Sequence, residues 1–231
     1  ECSGMPDMDT DKFGRPVAVI PCCVDLNGRF FAERSTLRAK MRAELGIGDR
    51  RAYVHAGALG GLYLTEQIAD LLAAARQLDA GTFAMFLTQS DPGLIVPLLR
   101  ARSFEETDYF VSRVAPDAVP GYLCAADAGI SFVKAGYATQ SRSPTKIPEY
   151  LACGLPIIAN PGVGDVDQLI GKNSVGVLVE RFSEVGYTKA LKQLDTLGDI
   201  GGRCRAAAEA NFDLETIGGA RYRRLYSQLT K

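Results

Sequence analysis

From Pro16 onward, short runs of Val, Ile, Ala and Leu alternate with amphipathic stretches, and this alternation limits the folds open to the chain. The runs lie at 17–21 (VAVIP), 52–57 (AYVHAG), 82–88 (TFAMFLT), 109–114 (YFVSRV), 128–134 (AGISFVK), 155–159 (LPIIA) and 175–179 (VGVLV). Largely unbroken apolar runs of this length predict strands buried on both faces, the signature of a parallel sheet. Between them, apolar residues spaced three and four apart predict helices at 34–46, 64–78, 93–101, 119–127, within 141–153, and at 166–170. Gly46 is placed as the C-terminal stop of the first helix. Three further helices are expected at 183–197, 199–211 and 214–229. Strand–helix alternation implies parallel right-handed crossovers. The fold class expected is therefore α/β, a doubly wound, Rossmann-like parallel sheet. No internal repeat or low-complexity tract interrupts it.

A chain of 231 residues has ample length for one such core. Its 47% hydrophobic and 23% charged content is that of a globular protein, and a formal charge of −1 argues against a nucleic-acid partner. The six cysteines include no Cys-x-x-Cys pair, so neither a zinc site nor a redox motif is expected. Cys124 and Cys153 lie in apolar helical contexts and are expected to be reduced core residues. A cytoplasmic location follows as an expectation. No run approaches the ~20 apolar residues of a membrane span, and no signal peptide is evident. Residues 1–16 (ECSGMPDMDTDKFGRP) lack an initiator Met and read as an interdomain linker, so the chain is expected to be part of a longer protein.

In an open parallel sheet, ligands bind outside the carboxyl ends of the strands. That rule singles out the loops at 57–61, 88–92, 112–115, 134–146 and 160–165. The fourth is the longest and most polar, and it opens a helix carrying Lys146 and Glu149, three apart and so on one face. Helix N-termini gather unpaired N–H groups and suit anions, whereas a lysine there is unfavourable for the helix itself. Lys146 is therefore expected to serve an anion, with an exposed Lys146–Glu149 surface pair as the alternative. As a surface residue it is expected to be worth under ~0.5 kcal/mol of stability. Gly57, Gly60 and Gly61 read first as a tight turn and second as a close approach to a ligand. His55, the only histidine, reads as a hydrogen-bonded core residue.

The segment SPTKIPEYLACGLPIIA, 143–159, resembles the donor site of family-four retaining glycosyltransferases of the two-domain GT-B fold. VIPCCVDLNGRF resembles that family's interdomain strand and loop. YVHAGALGG resembles its glycine loop, VPGYLCAADAGISF its helix-to-strand passage, and YRRLYSQL its tail helix. The resemblance spans nearly the whole chain but only the second half of such an enzyme. It implies a linker over 1–16, a nucleotide-sugar-binding domain over 17–213, and a tail helix over 214–231 that packs toward an absent N-terminal, acceptor-binding domain. It implies that Glu149 holds the ribose hydroxyls of the donor, an apt task for a charged acceptor. Lys146, with Thr145 beside it, meets the diphosphate along with Gly57, Gly60 and Gly61. The base lies against the backbone near Arg113 and Val114.

Ser141 stands where the family often has a second glutamate at the sugar, and the usual Arg and Lys after the glycine loop are missing, with Tyr63 in that stretch. The resemblance implies sugar transfer with retention from a nucleotide sugar, expected to be a uridine diphosphate one. No cofactor beyond that donor and no metal are expected, and no catalytic residue is assigned. The absent half is the expected route to any peripheral contact with the inner face of a membrane. A non-catalytic nucleotide-binding module of the same fold is the alternative, and a nucleotide-sugar epimerase a more distant one.

Overall fold

The first of the seven expected strands does not join the sheet. In the computed structural model, which describes residues 9–30 and 34–229, β1 (Asp9–Thr10) and β2 (Pro16–Val17) form a small antiparallel hairpin. Its turn is held by the Asp11 carboxylate, which accepts from the Phe13 and Arg15 N–H groups at 2.9 Å and pairs with the Arg15 guanidinium. Prolines at 16 and 21 withhold the N–H groups a central strand must donate. The segment after β2 instead runs beside the C-terminal helix, where Val19 O accepts from Arg221 Nη1 at 2.7 Å. Residues 1–8 of the expected linker, Cys2 among them, lie outside the described residues.

The other six runs make one parallel sheet, with α1 (Arg34–Glu44) preceding the first of them. The strands are β3 (Ala52–Ala56), β4 (Phe83–Leu87), β5 (Tyr109–Ser112), β6 (Ala128–Ser131), β7 (Ile157–Ala159) and β8 (Gly176–Leu178), in the order β5-β4-β3-β6-β7-β8. The crossovers carry α2 (Thr65–Leu78), α3 (Val96–Arg100), α4 (Val119–Ala125), α5 (Lys146–Ala152) and α6 (Val166–Asn173). After β8 come α7 (Glu184–Thr196), α8 (Gly201–Phe212) and α9 (Ala220–Leu229). The chain runs outward from β3 to β5, returns to β6 beside β3, and runs outward again to β8. The direction of winding therefore reverses between β3 and β6, the place where such sheets bind ligands.

Both faces of the sheet are covered. Val54, Met85 and Ile157 face a layer containing α1, α4, α5, α6 and α8. Tyr53, Phe86 and Ile158 face α2 and α7, with α3 beside them. This is why the strands read as continuous apolar runs rather than alternating ones. The last expected helix, 214–229, is interrupted. Leu214–Gly219 winds as a π-helical turn capped by Asp213, whose Oδ1 accepts from Glu215 N and Thr216 N. The adjacent Gly218 sits so close to Cys23 that a Cβ there would lie 2.8 Å from its sulfur. Among the described residues no helix is long and apolar enough to cross a membrane.

Candidate functional site

Between β3 and β6 only two residue pairs are in register, Tyr53 with Ala128 and Val54 with Gly129. Beyond them the strands part, and a side chain from α5 fills the gap. The Tyr150 hydroxyl accepts from Ala56 N at 2.9 Å and donates to Ile130 O at 3.3 Å. Its ring lies on β6 because position 129 is glycine; a Cβ there would come within 2.3 Å of the ring. Tyr150 thus bolts the start of α5 to the carboxyl ends of both central strands. Sequence reasoning missed this role, although the pairing of a tyrosine after Glu149 with a glycine inside an apolar strand carried the signal.

His55, one residue before the end of β3, is fully buried, as the core-histidine reading expects. Nε2 lies 3.0 Å from Ala58 O and Nδ1 3.3 Å from Ile130 O. Burial, reinforced by the charge of Lys146, holds its pKa down to about 3. The ring is neutral, so only one of the two nitrogens can donate to its carbonyl. The glycine loop follows with Gly57, Gly60 and Gly61 at φ of 124°, 74° and 62°, all in the region that favours glycine. The tight-turn reading holds, and Gly57 adds the close approach: a Cβ there would stand 3.3 Å from Lys146 Nζ.

Lys146 corrects an expectation. It is not on the surface: it is 5% exposed, and its Nζ makes no hydrogen bond. The amine sits 4.3 Å from the centre of the Tyr63 ring, a cation–π contact. Burial lowers its pKa to about 7, against the opposing pull of Glu149. The surface-pair alternative fails as well, because no Lys146–Glu149 ion pair occurs among the described residues. The reason is packing: α5 is wedged between the sheet and α8, so six of its seven residues are buried. Tyr63 takes up the space beside the amine, in the stretch where the resemblance led one to expect cations.

Glu149 is half-buried on the same helix, and its carboxylate makes no hydrogen bond or ion pair among the described residues. Burial raises its pKa, while Arg29 and Lys146 pull it back. Thr145 is exposed just before α5, and its hydroxyl accepts no capping hydrogen bond. Arg113 is exposed and Val114 half-buried, beyond the end of edge strand β5 and two strands from the centre. Ser141 lines a different cleft, about 290 Å³, with Pro21, Gln168 and Asn211. The structure thus gathers Lys146, Gly57 and Tyr63, places Glu149 one helical turn along, and sets Ser141 apart. The loop at 134–145 is anchored at its start by Asn160, whose amide bridges Val133 N and O at 2.9 and 3.0 Å. Among the described residues no group of His, Cys, Asp and Glu is arranged to hold a metal ion.

No family model and no curated protein matches this chain. Solved structures do. WaaG, a glycosyltransferase involved in lipopolysaccharide biosynthesis, superposes with a TM-score of 0.69 at 18% identity over 87% of this chain and 54% of its own. Anabaena HepE, solved in complex with UDP and glucose, gives 0.70 at 19% identity over 89% and 55%. AviGT4, a glycosyltransferase involved in avilamycin A biosynthesis, gives 0.65 at 17% identity over 93% and 59%. The chain thus spans about half the length of these solved structures. The α/β fold, with its six-stranded parallel sheet, is that of one half of a GT-B glycosyltransferase.

Proposed function

We propose that this chain is the donor-binding half of a glycosyltransferase, taking a nucleotide sugar at the carboxyl ends of β3 and β6. The observation that carries the reading is the Lys146 amine, buried and without a hydrogen-bond partner beside the glycine loop at the point where the winding reverses. A buried amine without a hydrogen-bond partner destabilises the fold, so its retention there fits a ligand that completes it. A diphosphate is the anion of suitable charge and size. Gly57 leaves room for phosphate oxygens to reach Nζ, and Glu149 offers a carboxylate free of protein partners to vicinal ribose hydroxyls. The base lies toward Arg113 and Val114. The donor is a uridine diphosphate sugar, transferred with retention as in the family-four enzymes, and catalysis comes from positioning and from stabilising the departing diphosphate. The acceptor site belongs to a half not contained in these residues. UDP bound to structures of this fold supports the choice of nucleotide.

One observation favours a second reading, a nucleotide-binding module without transfer. Ser141, in the place of the family's sugar-contacting glutamate, faces the cleft beside Pro21 rather than the Lys146 site. Calorimetric titration with UDP, uridine and GDP tests the main reading. UDP is expected to bind, uridine far more weakly, and Lys146→Met to abolish the difference between them. Equal binding of UDP and uridine by the unaltered chain removes the diphosphate assignment.

A further inference from the structure

The Lys146 amine is closed off from solvent, although an opening beside it is built into the chain. Gly57 is exposed, and a Cβ there would stand 3.3 Å from Nζ, so the missing side chain leaves a lane from the glycine loop to the amine. Nζ is nevertheless buried and makes no hydrogen bond. The Tyr63 ring shuts the lane, its centre 4.3 Å from Nζ. Two other rings of the cluster are locked in place. His55 and Tyr150 are fully buried, and each contacts Ile130 O and a second backbone group, Ala58 O for His55 and Ala56 N for Tyr150.

Tyr63 is built differently. Its backbone is pinned: Tyr63 N donates to Gly60 O and Tyr63 O accepts from Thr65 N, both at 3.0 Å. Its neighbours zip onto the end of β6, with Lys134 N donating to Leu62 O at 2.8 Å and Leu64 N to Phe132 O at 3.3 Å, around an antiparallel bridge between Tyr63 and Val133. The ring is only half-buried and meets the His55 ring edge-on, 6.0 Å between centres. Its hydroxyl makes no hydrogen bond among the described residues. A side chain so placed can change rotamer while the fold stays still. The contact it makes is also replaceable. A ring face attracts the charged amine but accepts none of the three hydrogen bonds an ammonium can donate in the way an oxygen does. A phosphate supplies those acceptors together with negative charge.

We propose that Tyr63 is a specificity-determining residue of this site: its ring covers the Lys146 amine while the site is empty and gives it up only to an anion. A ligand shifts such a balance only by interacting differently with the two states. A nucleoside diphosphate does so, because its charge reaches the ammonium once the ring has turned aside. A nucleoside carries no charge to offer and leaves the ring where it is. This accounts for a tyrosine in a stretch where the resemblance led one to expect cations: a second cation there would repel the amine, whereas the ring holds it. The identity of the anion rests on the diphosphate reading of the Lys146 site. The cover over the amine does not.

The test is the rate at which acetic anhydride acetylates Lys146 in the folded full chain at pH 7, followed by peptide mapping, with exposed Lys172 calibrating the reagent. Acetylation is expected to be slow in the native chain and in Tyr63→Phe, which keeps the ring. In Tyr63→Ala it is expected to be at least about tenfold faster, the factor a desolvated cation–π contact supplies. Cys204, 0% exposed, is titrated with a disulfide reagent alongside and is expected to stay unreactive in all three. UDP is expected to restore the protection of Lys146 in Tyr63→Ala, and uridine to leave it unprotected. Equal acetylation of the native chain and Tyr63→Ala overturns the proposal alone, even where UDP binds. Faster acetylation that neither UDP nor inorganic pyrophosphate suppresses overturns the specificity role and the diphosphate reading together. Cys204 reacting in Tyr63→Ala also overturns the proposal, since the ring would then hold the fold rather than cover the amine. Should Tyr63→Ala not fold, Tyr63→Thr, suited to the strand-like backbone of the bridge, takes its place.

Discussion

The two ends of the sheet treat charge in opposite ways. At the amino ends, arginines form a rail that satisfies exposed backbone. Arg42 donates to Gly48 O, Ala125 O and Arg50 O, and pairs with Asp127. Arg38 pairs with Asp127 at 2.6 Å, and the Asp127 carboxylate also accepts from Ala52 N at 2.8 Å, holding the start of β3. Arg50 reaches Gly81 O, Thr82 O and Thr107 O, and pairs with Asp108 at 2.6 Å. Arg76 closes on the other oxygen of Asp108. At the carboxyl ends, one amine and one carboxylate, Lys146 and Glu149, stand partly or fully out of water without a hydrogen bond or ion pair among the described residues. The amino-end charges are matched by carboxylates of opposite sign, although Arg76 Nη1 is buried without a hydrogen bond. A buried amine with no carboxylate in reach is a candidate for a charge that a ligand supplies.

If that division is right, removing charge at the two ends has opposite consequences. The largest effect is expected from Asp127→Ala, which strands two guanidinium groups and the Ala52 N–H. A loss of about 2–3 kcal/mol in urea denaturation is expected, the carboxylate being partly solvated. UDP affinity of the folded fraction is expected to be unchanged. A large loss of affinity there would erase the distinction between the ends. Next comes Glu149→Ala, expected to weaken UDP binding by roughly 1.5–3 kcal/mol, the range for hydrogen bonds to a charged group. Its stability is expected to hold or rise, because no protein partner is lost. Unchanged UDP affinity in the folded variant would remove the ribose role.

Most of the fold was legible in the sequence because buried parallel strands leave an unmistakable local mark, and six of the seven runs took their expected places. The exception, VAVIP, carries the same mark. It fails because flanking prolines withhold ladder donors, a point the apolar pattern does not register. That a helix carrying Lys146 and Glu149 follows the long polar loop was equally legible. Its burial was not. Periodicity over a seven-residue helix says which residues share a face, but not whether α8 covers that face. The Tyr150 bridge to Ala56 joins residues 94 positions apart, so no local pattern announces it.

The smallest effect is also the sharpest, because its sign reverses what a surface lysine predicts. Lys146 is 5% exposed and its amine has no hydrogen-bond partner. Lys146→Met keeps the length of the stem and its packing on Tyr63 while removing the polar end. The variant is expected to be more stable by about 1–2 kcal/mol near pH 6, within the cost of burying an unpaired polar group. The gain follows pH with a fixed sign. Folding lowers the amine's pKa from 10.5 to about 7, so between those values the unfolded chain holds the proton that the folded chain has lost. In that window the native protein gains stability as pH rises, and below about pH 7 its penalty is complete. The variant lacks this slope. Its advantage is therefore expected to be greatest below pH 7 and to be lost as pH rises above it, with titrations common to both proteins cancelling in the difference. Adding UDP is expected to reverse the ranking, because a diphosphate restores the proton and supplies the missing partner, and only the native chain gains. Proton uptake on binding, measured by calorimetry in two buffers of different ionisation enthalpy at pH 8, reports this directly. A variant less stable than the native chain at every pH would show that the amine serves the fold, and Lys146 would join the arginines of the opposite end.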